Sequence, residues 1–112
     1  MSVLVERFTV TIASGSSVSS AAVLKGKVPT VLQMPDGWDA AAISFITTGD
    51  GAVFRWQYDT AGAVITIPAG VERRIFLPAS LADTRNLYVV SGVPGAAVNQ
   101  TADRVIYIEV WE

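Results

Sequence analysis

The chain contains no histidine and no cysteine. Without imidazole it has no Ser-His-Asp triad, no His-ligated metal and no side chain that titrates near neutral pH unaided. Without thiols it has no thiolate nucleophile, no Cys-bound zinc or iron–sulfur cluster and no disulfide. Cysteine usage is therefore silent on redox compartment. Charge is scarce too: 8 Lys+Arg against 10 Asp+Glu leave a net charge of −2 over 112 residues. Nucleic acid demands a concentrated basic patch that displaces phosphate counterions, so no nucleic-acid partner is expected. Nor is membrane insertion expected, because no stretch approaches the roughly 20 apolar residues of a spanning helix. The opening Met1-Ser2-Val3-Leu4-Val5-Glu6-Arg7-Phe8 is interrupted by charge before an apolar run builds, so it does not read as a secretory signal.

What the chain does have is apolar and β-branched. Hydrophobic residues make up 51% of it, too many for a disordered chain. Its 16 Val and 8 Ile outnumber 6 Leu four to one, and such side chains fit a pleated surface better than a helix. Nine Gly and five Pro are spread along the sequence and leave no room for a long helix. The length suits one domain, taken as residues 1–112, able to close a core without staples.

Period-2 alternation marks about nine short strands. They fall at residues 7–13, 21–25, 28–34, 41–47, 53–58, 63–67, 72–77, 87–91 and 104–111. Asp50-Gly51 supplies the positive φ of a tight turn, predicting a hairpin between the strands of Phe45 and Phe54. Residues 59–62 suit a four-residue hairpin loop. Residues 78–83, opening on Pro78, are the one plausible helical turn. The small polar tract at residues 14–20 reads as an interruption between strands rather than a linker, since alternation resumes at once on both sides. Strands at this spacing predict an all-β, two-sheet sandwich of jelly-roll type.

Several strands are apolar on both faces. If Ile106, Ile108 and Val110 face the core, then Val105, Tyr107 and Trp111 face away; Tyr88 and Val90 likewise oppose Leu87 and Val89. A sandwich needs one apolar face per strand. The surplus points to a subunit contact and hence to a homo-oligomer.

One set of residues carries a family resemblance. It runs Gln33-Met34-Pro35, Trp38, Ala41, Ile43-Ser44-Phe45, then Gly49-Asp50-Gly51, Phe54, Tyr58-Asp59 and Gly62. It continues with Ile75-Phe76-Leu77-Pro78, Arg85-Asn86-Leu87-Tyr88-Val89, Ser91-Gly92, Val98-Asn99-Gln100 and Ala102-Asp103-Arg104. This resembles a family of small β-sandwich proteins encoded in tailed-phage and prophage structural regions, and a gene transfer agent head-spike component. The family pattern runs roughly MPxxWxxAxxxFxxSxDGxxF and later SGxxxxxVxQxA, and it spans about residues 32–104. Thr48-Gly49 departs from it, where a Ser commonly precedes the Asp-Gly. The resemblance implies a non-enzymatic virion part made in a bacterial cytoplasm: a capsid decoration, head spike or tail-associated protein with no catalytic residues and no cofactor. Its implied partners are copies of itself, as a trimer or pentamer, and capsid, spike or tail proteins.

The candidate residues divide accordingly. For an oligomer or capsid contact they are Tyr88, Val90, Val93, Pro94, Val98, Tyr107 and Trp111. Trp111 reads either as interface or as plain edge exposure. The stretch 92–100 holding Val93, Pro94 and Val98 is either a docking loop or an ordinary crossover. The alternative function is a carbohydrate-binding module recognising a host surface polysaccharide, with Trp38, Trp56 and Tyr58 as a stacking platform. Against that platform, Trp56 shares a face with Phe54 and Tyr58 and is expected in the core. Trp38, in a loop, is expected to cap one end of the sandwich. Asp36, Asp39, Asp50 and Asp59 offer carboxylates for a loop calcium or paired-acid hydrolysis, but turn stabilisation by Asp is the plainer expectation. Arg73-Arg74 point to opposite faces of a strand, and Lys25 and Lys27 make no patch.

Overall fold

The computed structural model describes residues 3–82 and 84–112. Among the described residues ten strands form two antiparallel sheets, in keeping with the β-branched composition. In chain order they are β1 (Leu4–Ile12), β2 (Ala22–Val23), β3 (Val31–Gln33), β4 (Ile43–Thr48), β5 (Arg55–Trp56), β6 (Thr66–Ile67), β7 (Arg74–Phe76), β8 (Asn86–Val93), β9 (Ala96–Ala97) and β10 (Arg104–Trp111). The first sheet runs β1-β10-β3-β7. The second runs β2-β8-β4-β5, with β6 also against β4 and β9 against β8. The shared core between them takes Val10 and Ile12 from β1, Leu32 from β3, Ile43 and Phe45 from β4, Leu87 and Val89 from β8, and Ile106 and Ile108 from β10. These are the inward positions that alternation assigns. The fold is an all-β sandwich.

Each of the nine expected strands is present, most of them shorter than the alternation suggested. A 3-10 turn at Ala79–Leu81, preceded by Pro78, occupies the expected helical stretch, whose last residue, Asp83, lies outside the described residues. The hairpin of Asp50-Gly51 joins β4 to β5, but it is wider than a two-residue turn. Ile46 pairs with Trp56 and Thr47 with Arg55, and residues 48–54 close it around Gly51 at φ 81°. The loop at 59–62 closes with Asp59 N donating to Ala63 O at 2.8 Å.

Residues 14–20 carry the chain from β1 across to the second sheet. Val18 bridges to Val90, and Ser19 N donates to Val89 O at 2.9 Å, so the tract runs along the free side of β8. Serines suit this irregular path because they bond locally: the Ser19 hydroxyl, buried, accepts from Val89 N at 2.9 Å.

Two expectations are corrected here. The stretch 92–100 is not a single loop. β8 continues to Val93 and turns at Pro94-Gly95 into β9, which pairs Gly92 with Ala97 and Val93 with Ala96. Gly92 allows this by its φ of 99°, and a Cβ there would lie 2.5 Å from Ala96 O. The other correction concerns the row Phe54, Trp56, Tyr58. Trp56 pairs with Ile46, which points away from the core, so the row lies on the outer face of the second sheet. The sequence pattern shows that these aromatics share a side; it does not show which side is inward.

Candidate functional site

The carboxylates singled out in the sequence are engaged in holding loops. Asp50 Oδ1 accepts from Ala52 N at 2.8 Å, Val53 N at 3.0 Å and Thr48 Oγ1 at 3.0 Å. The bonds from Val53 and Ala52, then Thr48, pull its pKa down to about 2. Asp59 Oδ1 accepts from Ala61 N at 2.9 Å and Ala63 N at 3.0 Å, the Asx geometry of a turn. Asp39 pairs with Arg104 at 2.7 Å and accepts from Thr101 N and Oγ1. The Arg104 bond above all holds its carboxyl below the usual range. Asp36 is exposed. Among the described residues no three such side chains gather closely enough to hold a metal ion.

Around Asp39 sits a latch that the sequence reading missed. Gln100 is 0% exposed. Its Oε1 accepts from Asp39 N at 2.8 Å and Arg104 Nε at 3.1 Å, and its Nε2 donates to Asp39 O at 3.1 Å and Ser91 Oγ at 2.9 Å. One buried amide thus ties the loop before β4 to β8 and to the entry of β10, with its hydrogen-bonding groups satisfied. Trp38 belongs to the same end. It packs partly buried against the core and its indole N–H donates to Ala41 O at 3.0 Å, so it caps the sandwich as expected.

Most of the remaining candidate residues lie on the outer faces of the two sheets. On the first sheet Tyr107 and Trp111 face outward, as alternation predicts, with Glu109 between them. Glu109 is only 1% exposed, although it stands on the outside of the sheet. Arg74 covers it at 2.9 Å and Arg7 at 3.5 Å, Trp111 Nε1 donates to it at 2.7 Å, and the Gln33 amide donates to its other oxygen. Burial pushes this carboxyl up, but the bonds from Trp111, Arg74 and Gln33 outweigh it and hold the group below the ordinary range. The guanidinium of Arg7 lies over the Tyr107 ring at 5.4 Å, and that of Arg74 over Trp111 at 5.6 Å. Sequence spacing placed Arg73 and Arg74 on opposite faces but gave no sign of the cluster, because Arg7, Gln33, Arg74 and Glu109 come from four separate strands.

On the second sheet the outer face carries Ile46, Tyr88 and Trp56, flanked by Val18 and Phe54. The Phe54 and Tyr88 rings meet edge to face with centroids 5.7 Å apart. Tyr58 continues the row, half exposed.

The residues expected to form one contact therefore lie apart. Tyr107 and Trp111 are on one outer face, Tyr88 is on the other, and Val93, Pro94 and Val98 are partly buried in and just after the β8–β9 hairpin. Val90 is excluded from any contact: it is 0% exposed, flanked by Val18 on one side and Ser44 on the other. The glycan platform separates too, with Trp38 at a capped end and Trp56 and Tyr58 on the second sheet. No family model, curated protein or solved structure matches the chain.

Proposed function

We propose that this chain is a non-enzymatic structural protein of a tailed-phage, prophage or gene-transfer-agent particle, a capsid decoration or head-spike component that associates with itself and attaches to the particle. The observation that carries the reading is the outer surface of the sandwich. Both outer faces display grouped aromatic and aliphatic side chains that the core does not use. Grouped apolar side chains on a surface are those an assembling protein can bury. The carboxylates support the same reading, because those of the expected acid cluster that make bonds spend them on turns and loop ties. The test is fractionation: particles induced from cells carrying the gene are banded on a density gradient and probed for the chain. It is expected to travel with the particles; its remaining wholly in the soluble fraction would overturn the proposal.

The second reading, a carbohydrate-binding module, draws on Trp56 and Tyr58 lying outward in one row. Sugar stacked on an indole changes its emission, so polysaccharide titration of Trp fluorescence separates the two readings.

A further inference from the structure

We infer that the outer face of the first sheet holds a binding site for an acidic sugar, a hydroxylated ring that bears a carboxylate. This goes beyond the structural reading above and stands or falls apart from it. The site follows from strand order. β10, β3 and β7 lie side by side, and their register sets Glu109 across from Val31 and Val31 across from Phe76. Trp111 and Arg74 are neighbouring positions on the same face, two residues beyond Glu109 and two before Phe76. A hollow of about 330 Å³ lies among Thr30, Val31, Arg74, Phe76 and Trp111. Sites for small ligands start at about 300 Å³ and combine apolar walls with a few placed polar groups.

Glu109 builds this site without lining it. A carboxylate held out of water on the outside of a sheet carries a solvation cost, and the core does not use it. Its bonds fix two walls of the hollow: Arg74 donates to it at 2.9 Å and the Trp111 indole N–H at 2.7 Å. Both walls stand in place before a ligand arrives, so little freedom remains to be lost on contact. Charge and exposure then name the ligand. The Glu109 side chain is 2% exposed while those of Arg7 and Arg74 are 48% and 49% exposed, so this face presents cation to solvent. Among the described residues no acidic side chain lines the hollow, and Arg74 spends its side-chain hydrogen bonding on Glu109 alone. A guanidinium carries five N–H donors in a fork that matches a carboxylate. Phe76, 77% exposed, offers a bare ring on which the C–H face of a saturated ring packs. A hydroxylated ring suits a hollow open to solvent, because its outward hydroxyls keep their water.

The experiment is calorimetric titration of the whole chain with trigalacturonate and with its methyl ester, which keeps the rings and removes the charge. The acid is expected to bind with Kd at or below about 1 mM and the ester about 10-fold more weakly or worse. Added salt is expected to weaken the acid's binding. Phe76→Ala is expected to lose about 10-fold, whereas Trp56→Ala, on the other sheet, is expected to bind like the parent. Phe76 lies outside the core, so its variant should fold, and thermal melts check this; the acid and ester comparison needs no variant. Equal binding of acid and ester, no binding of either, or a loss with Trp56→Ala but not with Phe76→Ala would each overturn the inference.

Discussion

At the scale of single residues, the strongest constraints are polar groups held out of water. Gln100 satisfies its amide inside the protein, and removing it orphans groups on Asp39, Ser91 and Arg104 at once. Gln100→Leu is expected to cost about 3 kcal/mol, measured by urea unfolding, because buried unpaired groups each cost roughly 1–3 kcal/mol. A loss under half a kilocalorie would contradict the role given to the latch. Acid is the second probe. Asp39, Asp50 and Glu109 all have folded pKa values below their unfolded ones, so the folded state binds fewer protons. Their contribution is complete above the unfolded values and is lost as pH falls through the folded ones. For Asp50 that window runs from 3.8 down to about 2. Melting temperature is expected to hold steady above about pH 5 and to drop below about pH 4. Asp50→Asn should flatten the drop, and a melting temperature that rises toward pH 2 would contradict the assignment. The turn bonds of Asp50 were legible from Asp50-Gly51, whereas the pairings of Asp39 and Glu109 were not. Asp39 and Gln100 lie far apart along the chain, and only the closed sandwich sets them together.

At the scale of elements, alternation recovered the strands because most have one face in the core, and it missed features that alternation does not encode. Residues 53–58 place Phe54, Trp56 and Tyr58 together, yet which side is inward depends on how β5 registers on β4. The β8–β9 hairpin was hidden for another reason. Gly92 reads as a strand end, but here it is the position of positive φ that lets the strand continue and fold back. Gly92→Ala is therefore expected to cost about 3 kcal/mol or more, since a left-handed backbone and a backbone clash act together. Urea unfolding checks it, and a neutral result would show that the hairpin rearranges freely. The 3-10 turn, by contrast, was legible from Pro78 alone, as proline sets φ for such a start.

At the scale of the whole molecule, the two outer faces differ in character. One is a cluster of arginines and aromatic rings around a buried glutamate; the other mixes Ile46, Phe54, Trp56 and Tyr88 with uncharged polar residues. The sequence pointed to apolar side chains on the second faces of the strands at 87–91 and 104–111; Tyr88 lies on the outer face of one sheet and Tyr107 and Trp111 on that of the other, while Val90 is buried. The sequence reading pooled residues from both faces into one contact, because alternation along a strand does not say which sheet the strand joins. The central claim, that this sandwich is an assembling structural part, is tested most directly by its absolute mass in solution. Light scattering across a dilution series should give a multiple of 11.9 kDa at high concentration, falling toward 11.9 kDa on dilution. A mass of 11.9 kDa at every concentration would contradict the claim.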